Sequence, residues 1–264
     1  MNFKLGDLVT RISHKHDIIF KIVGVEGNVV FLKGVDLRLY ADSDISDLVK
    51  VTYSNETDKE IIDANIRDIN LDRSQYFYLP GKILHIDGDE EYLERCMNFY
   101  KEMNIKANGL VLPEIEIADC IGELLSEYRP DIVVITGHDA YYERKPKMGG
   151  NNNYQNSANF IEAVKVSRKY EKSQDKLIVI AGACQSNYED LIKAGANFAS
   201  SPKRINIHAL DPAIIASSLA LSDRNKSIDV IKIIDKTKYG SDGVGGIITN
   251  GTMYVGYPRW CCRK

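Results

Sequence analysis

No apolar run in this chain approaches the roughly 20 residues that a membrane-spanning helix needs, so no membrane partner is expected. The opening Met1-Asn2-Phe3-Lys4-Leu5-Gly6-Asp7 lacks the apolar core of a signal peptide. Synthesis in the reducing cytoplasm is therefore expected. There is no basic excess: 34 Lys and Arg stand against 37 Asp and Glu, for a net charge of −3. That argues against a nucleic-acid-binding surface. Cysteine is scarce, with 5 in 264 residues. No CxxC pair and no Cys/His zinc spacing occurs among them, so no metal and no cofactor are expected. Cys96 and Cys120 fall on predicted helices and read as core filler. Cys261 and Cys262 are vicinal in a short tail after Trp260 and read as incidental.

What the chain does have is a pair of matched segments. Asp131-Ile132-Val133-Val134-Ile135-Thr136-Gly137-His138-Asp139 is the first, and Lys176-Leu177-Ile178-Val179-Ile180-Ala181-Gly182-Ala183-Cys184-Gln185 is the second. Each climbs through continuous apolar residues, breaks at glycine and ends on a reactive side chain. Continuous apolar runs of this length read as strands buried on both faces, as in a parallel sheet. Between them, Ser157 to Tyr170 has helical spacing, with Phe160, Ile161, Val164 and Ser167 on one side. A strand–helix–strand unit makes its strands parallel and often adjacent. His138 and Cys184 then leave the same sheet edge, where strands lie about 4.8 Å apart. Open α/β sheets place their ligands at that edge. A thiol needs a neighbouring base or cation to react as a thiolate, and histidine supplies one. The plainer alternative is a buried cysteine acting as a small hydrophobe beside a satisfied strand-end histidine.

The rest of the chain frames that unit. Residues 1–52 are predicted to be all β, with strands Leu5–Arg11, Ile18–Val25 and Val29–Val35 separated by Gly and Asn turns. Such short strands suggest a small SH3-like barrel. His14 and His16 read as members of a solvated turn. Residues 53–80 form a polar connection, with a possible helix around Asp58 to Ile69, ending in aromatics and Pro80-Gly81. From 81 to 259 strands and helices alternate, which argues for a doubly wound, mostly parallel sheet. Ile228–Ile234 reads as a strand, and Thr249–Met253 as a hairpin turn between Gly246–Ile248 and Tyr254-Val255. Residues 260–264 form the tail.

Three further stretches carry candidate chemistry. Asp87-Gly88-Asp89 follows the strand Lys82–Ile86 at the same edge as His138 and reads first as turn chemistry, with a metal or phosphoryl site as the alternative. Gly243-Val244-Gly245-Gly246 is glycine-rich but precedes a strand, so it lacks the context of a phosphate loop. Met148–Asn153, near Arg144, Lys145 and Lys147, reads as a substrate-facing loop or as plain surface.

A histidine followed about 50 residues later by a cysteine, each after an apolar strand, resembles the caspase–gingipain–legumain group of cysteine peptidases. Over nearly its full length the chain resembles the sporulation-specific YabG peptidases. The residues that carry this are the N-terminal β region, Gly81-Lys82-Ile83-Leu84-His85-Ile86-Asp87-Gly88-Asp89, Thr136-Gly137-His138-Asp139 and Ala181-Gly182-Ala183-Cys184-Gln185-Ser186. The resemblance implies a caspase- or flavodoxin-like α/β fold. It implies an endopeptidase made in the mother cell of a sporulating bacterium and associated with the forming spore coat. Its partners would be spore coat and cortex-associated proteins, cleaved after Arg or Lys. It implies His138 and Cys184 as the catalytic pair, with backbone N–H groups of Cys184 and Asp139 as oxyanion donors. Asp139 and Asp211 are the candidate acidic residues for a basic substrate side chain. One position departs from the caspase pattern: a glycine follows the histidine there, whereas here Gly137 precedes His138 and Asp139 follows. The competing class is a flavodoxin-like binding protein with an SH3-like adaptor, in which Cys184 is buried and inert. A third is an amidase or transferase using the same pair.

Overall fold

The computed structural model describes residues 3–53, 56–142 and 153–259. The chain divides into two compact units, Met1–Ile61 and Ile62–Lys264.

The first unit is built from β1 (Leu8–Arg11), β2 (Phe20–Glu26), β3 (Val29–Gly34), β4 (Tyr40–Asp44) and β5 (Leu48–Lys50). They form a five-stranded antiparallel sheet in the order β4-β3-β2-β1-β5. Val9, Phe20, Ile22, Val30, Leu32 and Leu48 share its core. Along β3 buried Val30 and Leu32 alternate with exposed Val29 and Phe31, the period of two that leaves one face wet. The last two strands had no clear sequence signal: Tyr40–Asp44 is polar, and Leu48–Lys50 is very short.

The chain then enters α1 (Glu56–Arg67), matching the helix expected near Asp58–Ile69, and β6 (Phe77–Leu79). The second unit continues with β7 (Ile83–Asp87), α2 (Glu90–Glu102), β8 (Ala107–Val111), α3 (Glu114–Tyr128), β9 (Ile132–Thr136), α4 (Ser157–Tyr170) and β10 (Ile178–Ala181). After these come α5 (Tyr188–Ala194), β11 (Phe198–Ser200), α6 (Asp211–Ala220), α7 (Val230–Ile234), β12 (Val244–Gly246) and β13 (Tyr254–Gly256). The main sheet has the order β12-β11-β10-β9-β7-β8. All its pairs are parallel except β11 with β12. The expected mixed, mostly parallel sheet flanked by helices is therefore present.

Side-chain alternation sorts the helices onto two faces. Leu84, Ile86, Val133 and Ile135 pack with Ile117, Ile121 and Leu125 of α3 and with Phe160 and Val164 of α4. Each such side chain, fully buried, contributes about 1.5–3 kcal/mol. The alternate positions of β7 point the other way, so His85 meets Tyr100 of α2. Helix ends follow local chemistry. Asp89 caps α2 through the N–H groups of Glu91 and Tyr92, and Asn187 caps α5 through Asp190. Gly195, at φ 112°, ends α5 in the left-handed region that favours glycine.

Two expectations for the C-terminal third are corrected. Ile228–Ile234 is not a strand, because Val230–Ile234 forms α7, capped by the Asp229 carboxylate on the Lys232 N–H. Ile233 and Ile234 are buried while Ile231 is 72% exposed, so burial follows a helical face rather than a run. Short apolar runs do not distinguish the two states. Thr249–Met253 is not a hairpin turn either. β12 pairs with β11, whereas β13 pairs with β6. Gly251 is present for close approach: a Cβ there would lie 2.0 Å from the backbone oxygen of Ser222. The polar connection before Gly81 packs through β6 into the second unit, as its aromatic end suggested. Arg144, Lys145, Lys147, residues 148–152, Trp260, Cys261 and Cys262 lie outside the described residues. No helix among the described residues is long and apolar enough to cross a membrane.

Candidate functional site

The strand order reverses between β7 and β9: β8 lies on one side of this pair and β10 on the other. The crevice beyond the carboxyl ends of such strands is where α/β sheets bind their ligands. The register fixes what stands there. β7 pairs with β9 at an offset of 49 residues (Asp87↔Thr136), and β9 pairs with β10 at an offset of 46 (Ile135↔Ala181). Asp89, His138 and Cys184 follow the carboxyl ends of β7, β9 and β10, three neighbouring strands of the sheet.

The first contact in that row is direct. His138 Nε2 lies 2.9 Å from Asp89 Oδ2, with the two side chains 19% and 5% exposed. The His138 ring also lies against Tyr92 of α2, with centroids 5.8 Å apart and planes tilted by 54°. The His138 backbone N–H donates to Glu114 Oε1 at 2.7 Å, and its carbonyl accepts from Asn156 Nδ2 at 2.9 Å. Glu114 reaches this position because Gly88 and Gly137 leave room for it. A Cβ on either would sit 2.3–2.4 Å from Glu114 Oε1. The glycine before His138 therefore serves the close approach of a carboxylate.

Cys184 is 1% exposed. Its Sγ accepts from the Ile207 N–H at 3.2 Å. The thiol in turn donates to the Ile207 carbonyl at 3.9 Å, so both backbone groups of Ile207 hold the sulfur. The turn around it is unusual. Gly182 has φ 104° and Gln185 φ 57°, both in the left-handed region. The Gln185 N–H is held by Ile205 O and Ser201 Oγ, each at 3.1 Å. The Ala183 N–H donates to Ser186 Oγ at 2.9 Å. The loops after β9 and β10 are thus fixed on both sides of the row.

Asp139 performs the cross-bracing. Its Oδ1 accepts the N–H groups of Ala140 and Asn156 at 2.9 and 2.7 Å. Its Oδ2 accepts the hydroxyls of Ser157 and Ser186 at 2.5 and 2.8 Å. One carboxylate therefore ties the β9 loop to the start of α4 and to the loop after β10. Asp211, fully buried, accepts the N–H groups of His208 and Lys238 at 2.9 Å each. Sequence reasoning placed Asp139 at the right edge but missed this bracing role. It also missed Glu114, whose only signal was its position at the start of a helix on the same edge.

Behind the row lies a buried polar chain. Asp87 Oδ1 accepts the Asp89 N–H at 3.0 Å, and Asp87 Oδ2 accepts the Thr136 hydroxyl at 2.8 Å. His85 lies 2.9 Å from the Tyr100 hydroxyl and 3.1 Å from the Thr136 hydroxyl. His85, Asp87 and Thr136 are fully buried. On the far side of α4, Arg168 donates to Leu177 O, Gly195 O and Asn197 Oδ1. Burial pulls its guanidinium down to about 10, still charged at neutral pH. It braces β10 where the strand begins.

A thiol, an imidazole and carboxylates thus follow the carboxyl ends of neighbouring strands, the edge where α/β sheets place their ligands. The family model described as YabG peptidase U57 matches residues 4–258. The chain belongs to this family and is a peptidase. It is 40% identical over 286 residues to the sporulation-specific protease YabG of Bacillus subtilis (strain 168), across 98% of this chain and 99% of that protein. That relationship marks it as a protease of sporulation. No solved structure matches the chain.

Proposed function

We propose that this chain is a cysteine endopeptidase whose nucleophile is Cys184 and whose acid–base group is His138. The observation that supports the reading is that β9 and β10, whose carboxyl ends lead to His138 and Cys184, are paired in parallel as neighbours. The Cys184 thiolate attacks the scissile carbonyl carbon and forms a C–S bond. His138 gives its proton to the departing amine as the C–N bond breaks. It then takes a proton from the water that attacks the thioester, and as the C–S bond breaks the acid leaves and the Cys184 thiolate and His138 imidazolium are restored. The backbone N–H groups of Cys184 and Asp139 are the proposed oxyanion donors, each worth about 3 kcal/mol.

Because Cys184 is 1% exposed, the segment carrying Ile205 and Ile207 must yield before a carbonyl reaches Sγ. The proposed fold type is caspase-like for the second unit and SH3-like for the first. Support for the latter is a short-stranded antiparallel sheet around one small core. The first unit is proposed as an adaptor that brings protein substrates to the enzyme. Those substrates are proposed to be spore coat and cortex-associated proteins, cut after Arg or Lys, with the enzyme made in the mother cell and associated with the forming coat. Asp139 and Asp211 are the proposed acidic partners of the basic side chain. Both carboxylates are already occupied, so a basic side chain would have to displace donors such as the Ser157 and Ser186 hydroxyls at Asp139.

The test is Cys184→Ala against a coat-protein extract that the wild type cleaves. Cleavage is expected to fall at least 10³-fold, in line with the loss of a nucleophile. Undiminished cleavage overturns the assignment.

A further inference from the structure

Asp89 meets the His138 ring through a hydrogen bond of 2.9 Å between its Oδ2 and Nε2. It is held from three directions. Its Oδ1 accepts the N–H groups of Glu91 and Tyr92 at 3.1 and 3.2 Å. Its own N–H is anchored on Asp87 Oδ1 at 3.0 Å. Asp87 is fixed in turn by the Thr136 hydroxyl at 2.8 Å, inside a buried cluster with His85. The carboxylate is 5% exposed, so water competes little for it. It follows the carboxyl end of β7, which pairs in parallel with β9.

We infer that Asp89 is the positioning residue of this peptidase, fixing the His138 ring by accepting a proton bond from Nε2. The inference rests on the reading of His138 and Cys184 as the catalytic pair. With Nε2–H bonded to the carboxylate, Nδ1 of the neutral ring is the nitrogen that takes a proton. When His138 becomes the imidazolium, the negative charge at Nε2 stabilises it. A wrong tautomer would place the proton on the nitrogen that has to accept one. The other acidic groups nearby act elsewhere. Glu114 of α3 reaches the His138 backbone N–H, Asp139 is bonded to Ser157 and Ser186, and Asp87 reaches the Asp89 N–H. Tyr92 of α2 contributes an aromatic contact to the ring.

Asp89 also caps α2, so a loss of activity in an alanine variant would not separate the two roles. Asparagine and serine are both good N-caps. Asp89→Asn and Asp89→Ser are therefore compared with wild type, Asp89→Glu and His138→Ala, using one peptide that the wild type cleaves. For Asp89→Asn and Asp89→Ser, kcat is expected to fall about 10²–10⁴-fold, with KM within about threefold and an unchanged melting temperature. Asp89→Glu is expected to recover part of kcat. If His138→Ala is inactive while Asp89→Asn and Asp89→Ser keep the wild-type kcat, Asp89 is a helix cap only and the inference is overturned. If His138→Ala is itself active, the catalytic pair is overturned first.

Discussion

The two ends of the parallel sheet differ in kind. At the amino-terminal end the second unit holds a cavity of about 560 Å³, lined by residues that include Ile69, Met103, Leu221, Asp223, Lys226, Lys232 and Lys236. Its charges pair with one another near solvent: Lys236 meets Asp68 at 2.9 Å, with the side chains 25% and 57% exposed. At the carboxyl-terminal end Asp89 and Asp139 are buried, Glu114 is half-buried, and all three are bonded to backbone. Asp89, Asp139 and Glu114 accept N–H groups of the loops that carry the row. Space alone does not mark chemistry. A hydrogen-bonded carboxylate in a water-poor crevice holds an imidazole far more firmly than an exposed ion pair does, because solvent screening weakens the latter to about 0–1 kcal/mol.

The contrast can be broken from either end. Removing the imidazole in His138→Ala is expected to lower kcat/KM at least 10³-fold in a peptide-cleavage assay. Removing a charge from the opposite cavity in Lys236→Ala is expected to leave kcat/KM within about twofold and stability within about 1 kcal/mol. A tenfold loss of activity from Lys236→Ala would mean that the cavity takes part in catalysis.

The smallest effect belongs to the first unit. Hydrogen bonds from Lys50 hold the Asp7 carboxyl below its ordinary value of 3.8, bonds from Ser46 do so for Asp44, and bonds from Ser13 for Asp47. Carboxylates depressed in the fold add stability above their unfolded pKa, and that stability is lost as pH falls through the folded value. All three groups lie at the surface, Asp44 exposed and Asp7 and Asp47 half-buried, so the loss is modest. In two-dimensional NMR spectra, β1–β5 resonances are expected to stay native to about pH 4 and to weaken below it. Weakening on raising the pH from 4 to 6 would contradict the sign.

The sequence was most readable where strands are buried on both faces. The runs ending at His138 and Cys184 are unbroken by polar residues, so their strand character and common edge followed from pattern alone. The helix Ser157–Tyr170 emerged with the boundaries its spacing predicts. Their adjacency then brought both strand ends to one edge of the sheet. Asp89 was visible as a residue at the same edge, but its tie to His138 needed the pairing of β7 with β9, which no local pattern encodes. The Glu114 contact depends on space left by two glycines distant in sequence. Near the C-terminus, α7 and β13 depend on tertiary partners: the capping carboxylate of Asp229 is local, but β6 lies far upstream.

The central claim is that Cys184 is the reactive thiol although it is buried. Cys120 is more exposed, so accessibility and reactivity make opposite forecasts. The direct measurement is alkylation of the active enzyme with iodoacetamide, following peptide cleavage and the site of each adduct by mass spectrometry. Loss of activity is expected to track modification of Cys184 one for one, whatever the state of Cys120. Full activity in enzyme carrying the Cys184 adduct, or inactivation with Cys184 unmodified, would contradict the account.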